Sequence, residues 1–327
     1  MIKYYIIGSM ICFFLSIIIY PIFISFIKKI KFGKIIREEG PKSHFSKKGT
    51  PSMGGVVFII FTILGFILNL IFIDDIFISN KIIVLLLLTI IGFGLIGFID
   101  DFLLVKSSKK KGLSPNFKLI LQVIISVIYF SFYLKMDFNT TINFFNIFTV
   151  NLGFLYGMFI LFYLTGYSNA VNLTDGLDGL ASGLTLICLI FFGIISYYQN
   201  EFLILNFIVC FFTSIVAFIF FNFNPAKIFM GDSGSLAIGG VLASLAVLLN
   251  VEVYFIILSI PFLIEVVSVI LQVAYFKYTK GKRIFLMTPF HHHLELKGWK
   301  EKKIVLFFYS IGILCLLITL FIYKISY

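Results

Sequence analysis

The sequence predicts an all-α polytopic membrane protein with about ten transmembrane helices and both termini on the extracytoplasmic side, and three observations predict it. Of its 327 residues 60% are hydrophobic and only 13% are charged, and the mean hydropathy is +1.09. The apolar residues fall in runs near 20 residues, the length at which a helix crosses a bilayer while satisfying its own backbone groups. A membrane β-barrel would show alternating segments of ~10 residues, and these runs do not alternate. Finally, in a ten-span arrangement 22 of the 26 lysines and arginines fall on one side.

In chain order the expected spans are 4–27, 54–73, 82–99, 117–134, 152–168, 179–198, 202–221, 235–250, 253–276 and 304–323. The first run is longer than the apolar part of a cleavable signal peptide, no small-residue cleavage site follows it, and its positive charges lie mostly after it, so it is expected to remain as a span. The loop at 28–48 carries eight basic residues, 100–118 five, 222–234 one and 277–303 eight, leaving Lys3, Lys81, Lys135 and Lys324 on the other side. By the positive-inside rule the rich side is cytoplasmic. The net charge of +11 is thereby explained by topology and requires no nucleic acid, although a basic face also attracts anionic lipid and anionic substrates. Cys12, Cys188, Cys210 and Cys315 lie inside apolar runs without metal-ligand spacing and read as buried, reduced packing residues. The whole chain, 1–327, reads as a single integral-membrane catalytic domain.

The polar constellations share the basic side. The stretch Asn169-Ala-Val-Asn-Leu-Thr-Asp-Gly-Leu-Asp-Gly-Leu180 sets Asp175 and Asp178, with Asn169, Asn172 and Thr174, between two spans. A carboxylate in hydrocarbon costs ~2.5–3.5 kcal/mol on insertion scales, which makes a polar cluster at a span end a functional-site candidate. If Asp175 begins a helix, Asp178 shares its face one turn on. Asp100 and Asp101 close the third span and, as adjacent helical positions ~100° apart, are expected to have different partners; their plain reading is a pair of solvated acids at a helix end. Asp74-Asp75, on the other side with no polar cluster near it, suits that plain reading. Gly231-Asp232-Ser-Gly234 reads as a glycine-rich loop that lets backbone approach a ligand, or as an ordinary turn. Together these segments supply five carboxylates at the cytoplasmic ends of different spans, a hard-oxygen set suited to Mg²⁺. His291, His292 and His293 lack zinc-site spacing and fit better as donors to phosphate or sugar, beside Lys280, Lys282 and Arg283.

The strings SKKGTPSMGG (46–55), GFIDD (97–101), NAVNLTDGLDGLASG (169–183), IFMGDSGSLAIGG (228–240) and IEVVSVILQVAYFKYTKGKRIFLMTPFHHHLELKGW (264–299) resemble the bacterial phospho-N-acetylmuramoyl-pentapeptide transferases, within the polyprenyl-phosphate N-acetylhexosamine-1-phosphate transferase superfamily. Ser52 and Ser233 stand where a threonine is expected, which keeps the hydroxyl. The resemblance implies transfer of phospho-MurNAc-pentapeptide from UDP-MurNAc-pentapeptide to undecaprenyl phosphate, giving lipid I and UMP for peptidoglycan synthesis, in the bacterial cytoplasmic (inner) membrane with the active site facing the cytoplasm. It also implies a Mg²⁺ cofactor with Asp232 as its ligand, catalytic roles for Asp100, Asp101 and Asp232, and substrate contacts from Lys47, Ser52, Asn169, Asn172, Asp175, Asp178, His291, His292 and His293. Relatives of this kind resemble homodimers. A polyprenyl tail in hydrocarbon calls for a groove opening sideways to lipid, and Pro261 is a candidate to bend the ninth span beside it. Two other readings stay open: a UDP-N-acetylglucosamine-using sister enzyme, from which PFHHHLELKGW separates the chain, and a cation-coupled transporter, against which stand the clustering of acids on one face and the lack of an inverted repeat.

Overall fold

The computed structural model describes residues 2–30, 47, 49–71, 81–106 and 112–326; Asp74-Asp75, Ser107-Ser108, and Lys31, Lys34, Arg37, Lys42, Lys48 and Lys109–Lys111 lie outside them. Twelve α-helices are described: α1 (Ile2–Lys29), α2 (Gly54–Ile71), α3 (Lys81–Lys106), α4 (Pro115–Lys135), α5 (Tyr156–Thr174), α6 (Leu180–Tyr198), α7 (Phe202–Asn222), α8 (Gly231–Leu248), α9 (Glu252–Leu258), α10 (Ile260–Tyr278), α11 (Phe290–Leu296) and α12 (Glu301–Ser326). Ten of them, all but α9 and α11, are long and apolar enough to cross a membrane.

The ninth run is the one that departs from expectation. It divides into α9 and α10 at Ser259, with Pro261 in the first turn of α10. There its missing N–H would have had no intrahelical partner anyway, so the proline starts a helix instead of bending one.

Helix α8 is the centre of the bundle, packed against α3, α5 and α2. Of its span 89% is buried, against 28% for α1, α4 and α10. In lipid there is little hydrophobic drive between helices, so close packing of small residues has to hold them together. A methyl added at Gly55 would overlap the backbone of Gly234, one at Gly97 the carbonyl of Asp232, and one at Gly239 the carbonyl of Tyr167. On the periphery, α1 is joined to its neighbours by polar contacts: the Gly8 amide donates to Asn69 Oδ1 at 3.0 Å, and Asn69 Nδ2 to Asn206 Oδ1 at 2.7 Å.

A feature absent from the sequence reading is a short hairpin between α4 and α5. Its strands β1 (Thr141–Phe144) and β2 (Phe148–Asn151) pair antiparallel, Thr141 opposite Asn151 and Phe144 opposite Phe148. Asn146 at its turn donates to the Ser326 carbonyl at 3.0 Å, so the end of α12 lies on the hairpin's face. Glu252, also on that face, is buried, and its carboxylate accepts the Tyr156 hydroxyl. Burial pushes the Glu252 carboxyl up to about 7, although the tyrosine bond works the other way. The opposite face gathers the ends of α3, α5 and α7 and the starts of α2, α4, α6, α8 and α12.

Candidate active site

On that second face the structure brings together helix ends that are far apart in sequence. Asp101, in the last turns of α3, gives one oxygen to the Asp232 amide at 3.1 Å and the other to the Ser233 amide at 3.0 Å. The first amides of a helix have no partner within it and carry partial positive charge, so Asp101 caps α8 from outside. The entry is tight: Gly231 has φ +79°, and a Cβ there would meet Asp101 Oδ2 at 2.6 Å and Ser52 Oγ at 2.9 Å. The stretch anticipated as a glycine-rich loop is thus the first turn of a helix.

Asp100 turns elsewhere, as the 100° step between adjacent helical residues requires. Its Oδ1 accepts the Leu113 amide at 2.5 Å and its Oδ2 the Lys118 ammonium at 3.0 Å. Lys118 sits in the first turn of α4, which Ser114 caps by accepting the Phe117 amide and Pro115 opens; both are favoured at a helix start. The same ammonium contacts Asp232 Oδ2, and Asp232 Oδ1 accepts from Asn172 Nδ2 at 2.9 Å. One cation is therefore shared by two acids from different helices. Asp232 keeps 27% of its side chain exposed, against 9% for Asp100.

A second charged cluster lies at the α5–α6 connection. Asp175 ends α5 as its C-cap and does not begin a helix, so the shared helical face proposed for Asp175 and Asp178 is not formed; the tight turn at Gly176–Gly179 comes between. Asp178, 1% exposed in its side chain, receives Lys47 Nζ at 2.7 Å on Oδ1, and Asn224 Nδ2 at 3.1 Å and the Ala226 amide at 3.0 Å on Oδ2. Glu301 completes the cluster, its Oε1 2.6 Å from Lys47 Nζ. Burial works against the Lys47 charge, but its hydrogen bonds to Asp178 and Glu301 outweigh that and hold the ammonium above the usual lysine range. Lys47 and Ser52 belong to one strap, tied to the chain before α8 by Phe229 N to Pro51 O at 2.8 Å and Gly54 N to Phe229 O at 2.9 Å.

The remaining residues anticipated from sequence surround these two clusters. Asn169 pairs with Gln122, donating to its Oε1 at 2.8 Å. His291 is buried, with Nδ1 3.2 Å from Glu265 Oε2, and lies against Gly176. His292 Nδ1 is 2.8 Å from Glu295 Oε2, and His293 Nδ1 accepts the Leu286 amide at 3.1 Å. Burial and the charge of Lys297 lower the titration of His293. Lys118, Glu301, Gln122 and Glu265 were not anticipated. The signal was present for Glu265, an acid inside an apolar run; Lys118 was counted only among the charges that set topology, and Glu301 entered no reading.

The donor chemistry of the first cluster can be tested against a divalent cation. The oxygens of Asp101 are turned onto the α8 amides, while Asp232 keeps 27% of its side chain exposed with Asp100 joined to it through Lys118, so Asp232 with Asp100 beside it is the pair that can face a ligand. No group of three or more acid, histidine or cysteine side chains that could cage a metal occurs among the described residues. One or two carboxylates completed by water and substrate phosphates is how Mg²⁺ is usually held, and the residues fit that ion.

Residues 83–250 match the family described as Glycosyl transferase family 4, a stretch that contains Asp100, Asp101, Lys118, Asn172 and Asp232. The fold and the match together define a multi-pass membrane transferase. Residues 47–59, which include the strap, match signature 1 of the phospho-N-acetylmuramoyl-pentapeptide-transferases. The protein of that name from Staphylococcus saprophyticus is 46% identical over 319 residues, covering 96% of this chain and 98% of that one. The one from Listeria monocytogenes is 46% identical over 314 residues, covering 94% and 95%. The chain belongs to the phospho-N-acetylmuramoyl-pentapeptide-transferase family.

Proposed function

We propose that the face carrying Lys118, Asp100 and Asp232 lies in the cytoplasm and is where phospho-MurNAc-pentapeptide passes from UDP-MurNAc-pentapeptide to undecaprenyl phosphate. The enzyme class and the product, lipid I, follow from family membership; the residues, the orientation and the metal are the reading offered here. The single observation that carries it is the Lys118 ammonium held between two carboxylates of different helices, beside the capped start of α8.

In the reaction an oxygen of the lipid phosphate attacks the sugar-bearing phosphorus of the donor. A phosphorus–oxygen bond forms there, the bond to the α-phosphate breaks, and UMP leaves with the electron pair. One pyrophosphate linkage replaces another, so little driving force is needed. The obstacle is mutual repulsion of two anions, which positioning and charge neutralisation remove. Lys118 supplies one positive charge at this point. Asp100 orients the lipid phosphate; with a second pKa near 6, a phosphate monoester is mostly ionised at neutral pH and needs little help from a base. Asp232, with Asp100 beside it, would hold Mg²⁺, which when bound neutralises phosphate charge and stabilises the departing nucleotide. Asp101 keeps the start of α8, and with it Asp232, in place. Asn172, Asn169, the strap at Lys47–Ser52, Asp175, Asp178 and the histidines of α11 border the donor side. The basic residues at the described helix ends support the cytoplasmic assignment and hence outward termini. A homodimer remains part of this proposal, as does the single catalytic domain.

The test is nucleotide release by the purified protein in detergent with Mg²⁺ and undecaprenyl phosphate, comparing UDP-MurNAc-pentapeptide with UDP-N-acetylglucosamine, each with and without chelator. UMP that depends on the muramoyl donor, on lipid and on metal is expected. Metal-independent release would remove Mg²⁺ from the scheme, and release from the other donor would move the chain to the sister activity.

A further inference from the structure

Glu301 opens α12 in a place that reads, from sequence, as an ordinary polar flank of a span. In the structure it is the point where four separate segments meet. Its Oε1 accepts Lys47 Nζ at 2.6 Å and the Asp178 amide at 2.8 Å, and its Oε2 accepts Asn224 Nδ2 at 3.0 Å. Asp178 repeats two of the contacts from the other side, taking Lys47 and Asn224 on its own two oxygens. The cluster holds two carboxylates and one ammonium. Glu301 and Lys47 each keep only 17% of their side chains exposed and Asp178 keeps 1%, so none of the three is free to follow solvent.

The position of the cluster gives it reach. Lys47 is at one end of the strap whose other end, Ser52, lies against Gly231 and so against the start of α8. Asp178 is in the turn that also brings Gly176 against His291. Asn224 precedes the segment 227–230, whose backbone pairs with the strap at Pro51 and Gly54. A single carboxylate thus fixes the strap, the α5–α6 turn and the α7–α8 connection relative to one another. The strap and the α5–α6 turn border the side of the site assigned above to the donor, and the α7–α8 connection holds the strap in place.

We propose that Glu301 is a positioning residue for the nucleotide-sugar donor: it pre-sets the strap at Lys47–Ser52 and the turn at Asp175–Asp178 so that the donor meets a formed pocket. The inference rests on the reading of that side as the donor side. Asp178 then acts through the same frame, its carboxylate turned inward toward Lys47 and Asn224. Binding to a pre-formed pocket avoids the cost of ordering it, so loosening the frame weakens the donor and leaves the lipid acceptor alone.

The experiment uses the full-length protein in detergent and measures UMP release while donor and lipid acceptor are varied separately. Glu301→Gln keeps the size but places an amide nitrogen against the Asn224 amide nitrogen and removes one negative charge. Its KM for UDP-MurNAc-pentapeptide should rise on the order of tenfold, the effect of one charge-assisted hydrogen bond, with the KM for undecaprenyl phosphate unchanged. Glu301→Asp, which keeps the charge, should recover part of the loss. In a Lys47→Met background Glu301→Gln should cost less than it does alone, because the two side chains are in contact. Thermal unfolding separates positioning from folding: a lower midpoint in Glu301→Gln with both KM values unmoved would mean a structural role only and would overturn the inference. Unchanged KM and midpoint would overturn it too. Absence of UMP release by the unsubstituted protein would instead remove the functional reading on which it rests.

Discussion

Asp101 and Ser233, 132 residues apart in sequence, meet through a carboxylate–amide bond of 3.0 Å, and the neighbouring amide of Asp232 takes the other oxygen at 3.1 Å. The acid at the end of one span is therefore the cap of another, and Asp232 is held by its backbone before its side chain does anything. Asp101→Ala should lower stability by about 1–2 kcal/mol, the usual worth of an N-terminal cap, and lower turnover with it. Asp101→Asn, which keeps one acceptor, should be intermediate in both. Thermal unfolding in detergent beside UMP release checks this; an alanine variant as stable as the parent but inactive would place Asp101 on substrate instead.

Lys118 offers a second prediction. Lys118→Met leaves Asp100 and Asp232 facing one another without a cation and removes a charge aimed at phosphate, so turnover should fall ~10²-fold or more, as when one electrostatic group is removed from an active site. Introduced into Asp232→Asn the same change should cost less, since the two groups act together. Asp100→Asn should also lose turnover, through positioning and charge, and near-normal kcat in that variant would take Asp100 out of the catalytic set.

Gly176 is packed against a buried imidazole. A methyl at Gly176 would overlap His291 Nε2, and His291, enclosed and beside Glu265, has no room to retreat. Gly176→Ala should destabilise by ~1–3 kcal/mol, the typical cost of overpacking. Adding His291→Ala makes space, so the double variant should regain much of the unfolding midpoint of the parent. A single variant that melts like the parent would show that α11 yields.

The remote face carries a pH dependence of its own. Burial holds the Glu252 carboxyl up to about 7, above its ordinary value of 4.5. A raised carboxylate pKa means that the folded protein keeps a proton the unfolded chain has already lost. The contribution of this group to stability is therefore fully present below pH ~4.5 and is lost as pH rises to about 7, by an amount of the order of 3 kcal/mol. Glu252→Gln, which can still accept the Tyr156 hydroxyl, should flatten unfolding midpoints measured between pH 5 and 8. A slope as steep as the parent's would assign the dependence to another group.

Much of this was legible in the sequence. Ten spans follow from hydrophobic length alone, and the divergence of Asp100 and Asp101 follows from helical pitch. The break at Ser259 was hidden because α9 and α10 are apolar on both sides of it, so hydropathy runs through. The hairpin at 141–151 was hidden because two four-residue strands leave too short a pattern. Asp175 and Asp178 would share a face only if Asp175 began a helix, but Asp175 ends α5 and the chain turns from Gly176 on, α6 starting only after Gly179 at φ +79°. Lys118 and Glu301 stand where every membrane protein has charges, at the ends of spans. Only their partners distinguish them, and those partners come from other helices.

Helix α8 leaves one further consequence. Two of its glycines face the backbone of neighbouring helices, Gly239 the Tyr167 carbonyl of α5 and Gly234 the Gly55 Cα of α2, and backbone cannot rotate aside as a side chain can. Larger residues are closed to these positions whatever their chemistry. A variant selected to evade an inhibitor, or engineered to accept another sugar, would have to change elsewhere, as where the turn after α5 meets the histidine helix and Gly176 faces the His291 side chain, a neighbour that can be exchanged.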